Sequence, residues 1–301
     1  MNRVAIGIAV LLAALSGARA IVIVGGTGVE NFTAPPSDPG FANVGNIGVY
    51  LGNYGGNYWV LTATHVGPGN IVLGGNTYTM VGGSAITVLN GNSTPTDLTL
   101  FRITADPGLP TLNLLSGSNP GASSIVRMMG DGLRESTFTQ WGITVQGGSN
   151  DDIWTPGGGT DKSGYTTTGS LGVRWGDSIV VGNTTFNVGT GNTDGFYMGF
   201  SNTMGISMAQ GGDSGGATFY YTGGTWYLAG ILSAIGTFGS GDSPDNQPAN
   251  TAVFGNITVA ASVANYNSFI LSAIPEPSAY AILAGLLALG LAGIVRRRNA
   301  A

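Results

Sequence analysis

The sequence predicts an all-β domain built from short antiparallel strands. Apolar residues alternate with Thr, Asn, Ser and Gly over most of the 301-residue chain, and 53 glycines supply turns such as Gly-Gly-Asn and Pro-Gly. Such alternation between frequent turn signals is typical of strands in a barrel or a sandwich. Valine, isoleucine, leucine and aromatic residues recur throughout the chain, which supplies a core and disfavours disorder.

The predicted elements follow one another in a single β-rich domain over residues 21–272. Helical periodicity is nearly absent until residues 259–270, which predict a short amphipathic helix that closes the domain. Turn signals separate the strands. The strand predictions include residues 47–51, 59–63, 71–73, 98–103, 142–146, 178–181, 217–221 and 226–232.

Residues 147–169 are the most loop-like part of this domain, because they are rich in Gly, Asp, Ser and Thr. Asp151, Asp152 and Asp161 have the oxygen ligands that calcium prefers. Their spacing matches no ordered calcium loop, so solvated turn aspartates are the favoured interpretation and no metal site is predicted.

The amino terminus has the three parts of a secretory signal peptide. Arg3 makes the start basic, residues 4–15 are apolar, and residues 18–20 (Ala-Arg-Ala) have the small-residue pattern of a cleavage site. Residues 1–20 are therefore predicted to be removed on export. The alternative is a buried helix of the mature protein.

Residues 278–295 form a second apolar stretch, without a charged side chain. Eighteen residues span about 27 Å as a helix, close to the thickness of a hydrocarbon core. Three arginines, at 296–298, follow at once, and a positive cluster stays on the cytoplasmic side. The stretch predicts a single hydrophobic tail helix that contacts the inner membrane at least transiently, with the body of the protein on the far side.

The triplet Pro275-Glu276-Pro277, the tail helix and the arginines together resemble a PEP-CTERM sorting signal. The resemblance covers residues 275–298, within a sorting segment of residues 273–301. It implies an exosortase-type processing enzyme as a partner and sorting of the body to the cell surface or extracellular matrix. Permanent membrane anchoring through residues 278–295 is the alternative.

Without its two ends the chain is strongly acidic. Fourteen acidic residues remain against five basic ones, which leaves a net charge near −9. Such a surface repels polyanions, so nucleic acid is not expected as a partner. The chain has no cysteine, so its stability must come from the core and the sheets rather than from disulfides. The remaining basic residues are Arg102, Arg127, Arg134, Lys162 and Arg174.

His65, in the segment YWVLTATHVG of residues 58–67, is the only histidine of the chain. A second segment, Gly-Asp-Ser-Gly-Gly at residues 212–216, has the residue types that a nucleophilic serine requires. Small neighbours let a substrate backbone approach Ser214, and the N–H groups of Gly212 and Ser214 can converge on a developing oxyanion. A serine nucleophile also needs a base, and His65 is the only imidazole available.

The third group of such a site is a carboxylate that fixes the tautomer of the imidazole. Asp97 begins the alternating strand Asp-Leu-Thr-Leu-Phe, whereas the nearest rival, Asp106, lacks a strand context. The predicted triad is therefore His65, Asp97 and Ser214. The alternatives are a structural histidine, an ordinary acid at a strand edge and a plain turn serine.

Three motifs around these residues resemble the signatures of trypsin/chymotrypsin-like serine proteases. They are WVLTATHV, DLTLFRI and GGDSGG, in the order of that family, and the resemblance spans about residues 23–272. It implies two six-stranded antiparallel β-barrels (chymotrypsin-like) with the site between them and a short C-terminal helix over residues 263–270. The separate hydrophobic tail helix is additional to this fold.

The sequence departs from the family pattern beside these motifs. Thr64 replaces the usual alanine, Val66 stands where a cysteine often pairs, and Ala217 replaces the common proline. The interval between the second and third motifs is also long, and the surplus is assigned to the loop 147–169. None of these departures removes a catalytic group.

The resemblance also suggests a mode of activation. Residues 23–26 (Ile-Val-Gly-Gly) match the new amino terminus that often folds inward in this family, where its ammonium pairs with the aspartate before the nucleophile. Ile23 and Asp213 would form this pair. Signal cleavage after Ala20 leaves Ile21 and Val22 in front, so either two residues are trimmed or the site is ordered differently. An ordinary first strand rich in Ile and Val is the favoured alternative.

Substrate binding is predicted from the same resemblance. Met208, six residues before Ser214, corresponds to the base of the specificity pocket, and residues 230–233, which end at Ser233, to the strand that pairs with substrate backbone. An apolar or small residue before the cleaved bond is the expected preference.

The function implied is an exported, surface-sorted serine endopeptidase that acts on a peptide or protein substrate and uses no cofactor. One alternative is a catalytically inactive surface or matrix adhesion protein on a protease-like scaffold, which the low charge and the high Gly and Thr content favour. The other is an esterase with the same triad.

Overall fold

The computed structural model describes residues 21–147, 151–169 and 172–274. The predicted signal peptide and the predicted tail helix and sorting triplet lie outside the described residues. Within the described ranges no helix is both long and apolar enough to cross a bilayer.

Strands dominate the described chain, as the alternating sequence predicts, and one α-helix follows the last of them. A short 3-10 turn, Phe41–Asn43, precedes the second strand. The elements are β1 (Val22–Ile23), β2 (Val49–Tyr54), β3 (Asn57–Thr62), β4 (Ile71–Leu73), β5 (Asn76–Tyr78), β6 (Ile86–Leu89), β7 (Pro95–Ile103), β8 (Ile125–Gly130), β9 (Arg134–Thr144), β10 (Ile153–Pro156), β11 (Lys162–Thr168), β12 (Arg174–Phe186), β13 (Thr193–Gly199), β14 (Ser207–Met208), β15 (Ala217–Thr222), β16 (Thr225–Gly236), β17 (Thr251–Val253), β18 (Ile257–Ser262) and α1 (Val263–Ala273).

The C-terminal half contains one closed six-stranded barrel, in the order β12-β13-β18-β16-β15-β8. Every neighbouring pair in it is antiparallel. Phe196, Met198, Val126 and Leu232 fill a buried cluster in this half. One of the two predicted barrels is therefore confirmed.

The N-terminal half does not close into the second predicted barrel. Its six strands form a four-stranded sheet, β2-β3-β7-β6, and a separate two-stranded ladder, β4-β5. β4 and β5 have three residues each around the turn at Gly74 and Gly75, which both have positive φ angles. Only a single bridge, Met80 to Ile103, joins the chain after β5 to β7. The short β4–β5 ladder therefore does not bridge β2 and β6, the two edge strands of the sheet.

The segment 147–169, predicted as a loop, contains two strands. β10 and β11 flank β9 in a four-stranded sheet of the order β10-β9-β11-β17. Trp141 and Trp154 pack edge to face, with ring centroids 6.0 Å apart, and both are buried. Burial of these rings orders a segment whose composition alone favours a loop. Asp152 is buried as well, so it is not a solvated turn aspartate; its carboxylate accepts N–H groups from Gln146 and Asp245.

The closing helix begins later than the sequence pattern predicts. Residues 259–262 belong to β18, which pairs with β13 on one side and β16 on the other. The hydroxyl of Ser262 then accepts the N–H of Asn265 at 2.9 Å and caps α1. This segment has strand partners on both sides, which buries nearly all of its residues, and the cap delays the helix until Val263.

The two halves share one core. Leu61, Leu98 and Leu100 of the first sheet belong to the same buried cluster as Phe219 and Ile231 of the barrel. The loops that follow β3 and precede β15 therefore meet where the halves pack against each other.

Candidate active site

His65 lies in the turn that follows β3. This turn is held by backbone hydrogen bonds, from Thr64 N–H to the Asp97 carbonyl at 3.2 Å and from Val66 N–H to the Ala63 carbonyl at 3.1 Å. The Thr64 hydroxyl lies 3.0 Å from the carbonyl of Thr96 and donates to it. The residue that departs from the family pattern thus ties the histidine turn to β7.

The imidazole of His65 is paired with the carboxylate of Asp97. Nδ1 lies 2.9 Å from Oδ1 and 2.8 Å from Oδ2, and the backbone N–H of His65 donates to Oδ1 at 3.0 Å. Asp97 is fully buried, whereas 25% of the His65 side chain is exposed. Because a carboxylate only accepts hydrogen bonds, this contact places the proton on Nδ1 and leaves the lone pair of Nε2 free.

The serine lies in a tight loop, residues 210–216, between β14 and β15. The loop is closed by hydrogen bonds from Asp213 N–H to the Gln210 carbonyl at 3.0 Å and from Gly216 N–H to the Asp213 carbonyl at 2.9 Å. Gly215 has φ +87° and lies so close to the segment before β2 that an added Cβ would be 2.3 Å from the Ile47 carbonyl oxygen.

This contact brings the serine loop to the base of the histidine turn. The same added Cβ at Gly215 would lie 3.1 Å from Oγ1 of Thr62, three residues before His65. Ser214 itself is half-buried. In the described chain the Ser214 hydroxyl makes no hydrogen bond to His65, so the predicted serine–histidine contact is not formed in this structure.

The backbone donors predicted for an oxyanion are free. Among the described residues, no protein acceptor takes the N–H of Gly212 or of Ser214, and Gly212 has φ +93°. Two unpaired N–H donors, two residues apart in one loop, are available to bind the negative oxygen that would develop during attack by Ser214.

Asp213 does not meet Ile23 in the uncut chain. Its buried carboxylate accepts N–H groups from Gln210 at 2.7 Å and Gly132 at 2.5 Å. Burial raises the pKa of Asp213 to about 8, although these two hydrogen bonds act in the opposite direction. An added Cβ at Gly132 would lie 2.1 Å from the carboxyl carbon of Asp213. Only glycine therefore fits at position 132.

Ile23 instead belongs to β1, and its N–H donates to Glu135 Oε2 at 3.0 Å. Both oxygens of Glu135 also accept from the guanidinium of Arg174 at 2.7 Å, and neither side chain is exposed. Arg174 Nη1 donates to the carbonyl of Ile21 at 2.7 Å. In this structure the segment is an ordinary first strand, which was the favoured alternative. Sequence analysis missed the Glu135–Arg174 pair, because its two residues are 39 positions apart.

The two residues predicted to bind substrate are both buried. Met208 pairs with Val22 in the β1–β14 ladder and has no exposed surface, because β1 covers it. Met208 is therefore not the open base of a pocket in this structure. Ser233 is 3% exposed at a bulge of β16, and its hydroxyl donates to the carbonyl of Ile231 at 3.2 Å.

Two threonines that sequence analysis missed contact Asp97. The Thr193 hydroxyl accepts the N–H of Asp97 at 2.7 Å, and Oγ1 of Thr190 lies 3.2 Å from Oδ1. Thr190 lies in the turn between β12 and β13 and Thr193 begins β13, so both are more than 90 residues from Asp97. Threonine is common in this chain, so nothing in the local sequence distinguishes these two.

The described residues were also considered as metal ligands and as the lining of cavities. Across residues 21–147, 151–169 and 172–274 no group of three or more His, Cys, Asp or Glu side chains could hold a metal ion. Two open cavities, of about 530 and 510 Å³, lie beside the β12–β13 turn and are lined by polar residues that do not include the predicted triad.

The chain was compared with protein families, curated proteins and solved structures. No protein-family model matches the chain, and no curated protein matches it. Among solved structures, the chain is similar to the NS6 protease from murine norovirus 1, with 16% identity over 76% of this chain and 93% of that chain and a TM-score of 0.35. It is also similar to the Rv3671c protease in its inactive form, with 11% identity over 81% of this chain and 98% of that chain and a TM-score of 0.42.

Proposed function

We propose that the protein is a serine endopeptidase with Ser214 as nucleophile, His65 as general base and Asp97 as the carboxylate that orients the imidazole. The observation that carries this proposal is the contact of His65 Nδ1 with the fully buried Asp97. A buried carboxylate on Nδ1 fixes the tautomer that leaves Nε2 basic. The serine loop lies against the same turn through Gly215 and Thr62.

The chemistry follows from these positions. Oγ of Ser214 attacks the carbonyl carbon of the substrate while Nε2 of His65 takes its proton. His65 then gives that proton to the departing amine as the C–N bond breaks, and water hydrolyses the acyl-serine by the same steps in reverse. The N–H groups of Gly212 and Ser214 stabilise the negative oxygen of each tetrahedral intermediate. The serine–histidine hydrogen bond forms in the substrate complex, as is common in active sites that are open when empty.

An extended peptide fits the edge of β16 beside this loop. β16 pairs with β15 only up to Ile231, and hydrogen bonds between Leu232 and the serine loop continue that edge. From Ser233 to Gly236 the described strand has a partner on one side only, which is β18. A substrate strand added at this free edge gains backbone hydrogen bonds, which supports a peptide over a small ester.

The rival function is an inactive surface or matrix protein on the same scaffold. The burial of Met208 and the absence of a Ser214–His65 hydrogen bond in the described chain favour this alternative. Both functions are compatible with export, so localisation does not distinguish them.

Labelling with a fluorophosphonate probe separates the two. The mature exported protein, Ser214→Ala, His65→Ala and the control Ser136→Ala, which removes an exposed serine on β9, are compared after a thermal melt shows that each is folded. Labelling of wild type and Ser136→Ala but of neither active-site variant supports the peptidase. A folded wild-type protein that stays unlabelled excludes an activated serine.

We also propose that the body is exported, separated from its tail by an exosortase-type enzyme and retained at the cell surface or in the matrix. The support is the residue pattern of the two ends, which lie outside the described residues. Intact-mass analysis of surface-extracted protein tests this. A mass equal to that of a chain from Ile21 to about Pro275 supports export and tail cleavage. A mass that includes residues 278–301 indicates permanent anchoring.

A further inference from the structure

Thr190 joins the two halves of the molecule at the predicted catalytic aspartate. It lies in the hairpin turn 187–192 between β12 and β13, in the C-terminal half. Its hydroxyl lies 3.2 Å from Oδ1 of Asp97, a residue of β7 in the other half. Thr190 is half-buried, so solvent competes only partly for this contact.

The hairpin turn is fixed against the N-terminal half at several other points. An added Cβ on Gly191 would lie 2.1 Å from the carbonyl oxygen of Pro95, so the two backbones are in direct contact. The Asn90 side chain donates to the carbonyl of Asn192 at 2.9 Å. Thr193, fully buried, accepts the backbone N–H of Asp97 at 2.7 Å. The position of the Thr190 hydroxyl is therefore set by a rigid contact.

The Asp97 carboxylate has few other hydrogen-bond donors. His65 provides its backbone N–H and its Nδ1–H, both from the N-terminal half. Within the described chain, Thr190 is the only side chain of the barrel half that donates to this carboxylate. Ser233, on the strand predicted to bind substrate, donates to the Ile231 carbonyl instead.

We propose that Thr190 is a positioning residue for the reaction: its hydroxyl holds the Asp97 carboxylate so that both oxygens face Nδ1 of His65. This inference rests on the proposed function for its kinetic consequence, but the geometry that it describes is measurable without catalysis. Without the Thr190 donor the buried carboxylate is held from the His65 side alone, so its oxygens are less firmly fixed relative to Nδ1 and the alignment of the imidazole weakens.

Three variants test the role of the hydroxyl. Thr190→Val keeps the shape of the side chain and removes the donor, whereas Thr190→Ser keeps the donor. Thr185→Val is the matched control, because Thr185 is on β12 beside the same hairpin turn and donates to Asp194 Oδ1 at 2.8 Å rather than to Asp97. Thr190→Ala replaces Thr190→Val if the valine variant does not fold.

The first readout is the ¹H–¹⁵N resonance of the Nδ1–H group, which belongs unambiguously to His65 because the chain has no other histidine. We expect this low-field resonance to shift and to exchange faster with water in Thr190→Val, and to match wild type in Thr190→Ser and Thr185→Val. An unchanged resonance in Thr190→Val overturns the proposal. Absence of the resonance in wild type overturns the His65–Asp97 pairing on which the proposal depends.

The second readout is the rate of peptide hydrolysis. Loss of one hydrogen bond to a charged group predicts a fall in kcat of roughly tenfold or more in Thr190→Val, with KM unchanged and recovery in Thr190→Ser. Equal kcat in Thr190→Val and wild type overturns the positioning role. If wild type does not react with fluorophosphonate, the proposed function fails, while the resonance still decides whether Thr190 orients Asp97.

Discussion

Nδ1 of His65 lies 2.8 Å from Oδ2 of Asp97, and this carboxylate has no exposed surface. The pair joins the turn after β3 to the start of β7, two strands that are neighbours in one sheet. The arrangement gives the lone histidine of the chain a fixed tautomer. The following predictions concern this pair, the serine loop and the buried contacts of the barrel half.

Asp97→Asn should lower kcat by about 10⁴-fold with little effect on folding, because an amide stabilises the wrong imidazole tautomer. Asp106→Asn is the control, since Asp106 is the nearest rival acid and is exposed. Hydrolysis of a peptide substrate measures both. A variant at position 97 that keeps more than a tenth of wild-type kcat contradicts the role given to Asp97.

Gly215→Ala should disrupt the serine loop. Its φ angle is +87°, and the new Cβ would overlap the Ile47 carbonyl at 2.3 Å. Gly223→Ala is the matched control, because Gly223 also has a positive φ, +58°, but open space around it. Both variants carry the strain of a left-handed residue, of about 1 kcal/mol. We expect only Gly215→Ala to lose fluorophosphonate labelling, and equal labelling of both would show that the close contact does not matter.

Glu135→Gln should destabilise the fold by about 3 kcal/mol, because the fully buried guanidinium of Arg174 then keeps only the partly exposed Glu30 carboxylate as a counter-charge. Asp177→Asn is the control: its partner Arg127 is 13% exposed and Asp177 itself is 35% exposed, so water screens that pair and its loss should cost less than about 1 kcal/mol. Urea denaturation at neutral pH gives both free energies of unfolding. Similar values for the two variants would show that burial of the Glu135 pair has no special effect.

Ile21→Ala should cost about 2–5 kcal/mol of unfolding free energy, since the side chain is fully buried in the barrel core. Val29→Ala, at a side chain that is 64% exposed, should cost almost nothing. A chain trimmed to Ile23 would lose both Ile21 and Val22, so we expect Ile21 to be the stable mature terminus. A chain beginning at Ile23 with an equal or higher melting temperature would support trimming.

The raised pKa of Asp213 predicts a pH dependence of stability. The pKa is about 8 in the folded protein and 3.8 as the ordinary value, so the folded state holds a proton that the unfolded state releases. The contribution of Asp213 to stability is therefore fully present below pH 4, is lost as the pH rises through 8, and changes no further above that.

Asp213→Asn removes this titration. The variant should be less stable at low pH, because the amide satisfies only one of the N–H groups of Gln210 and Gly132, but the deficit should shrink as the pH rises from 4 to 8. Differential scanning calorimetry at several pH values measures the difference in melting temperature. A difference that is constant across this range would contradict the assignment of the titration to Asp213.

Sequence reasoning worked best where the determining signal is local. The strand at residues 71–73 and the body of the helix at residues 263–270 agree with β4 and α1, because alternation and helical periodicity depend on near neighbours. It failed at residues 147–169, where Trp154 and Tyr165 are buried against side chains from other strands. The prediction of a second barrel was not confirmed, because barrel closure depends on whether distant strand edges pair.

The same division applies to the site. The sequence by itself determined which residue types can act: one histidine, a Gly-Asp-Ser-Gly-Gly segment and an acid at the start of a strand. Tertiary structure alone decided that Thr190 reaches Asp97, that Glu135 rather than Asp213 holds Ile23, and that β1 buries Met208. The reactions that a side chain can take part in depend on its residue type and on its neighbours in the sequence. Contacts between groups separated by 90 or more positions depend on how the two halves pack, and no local pattern encodes that.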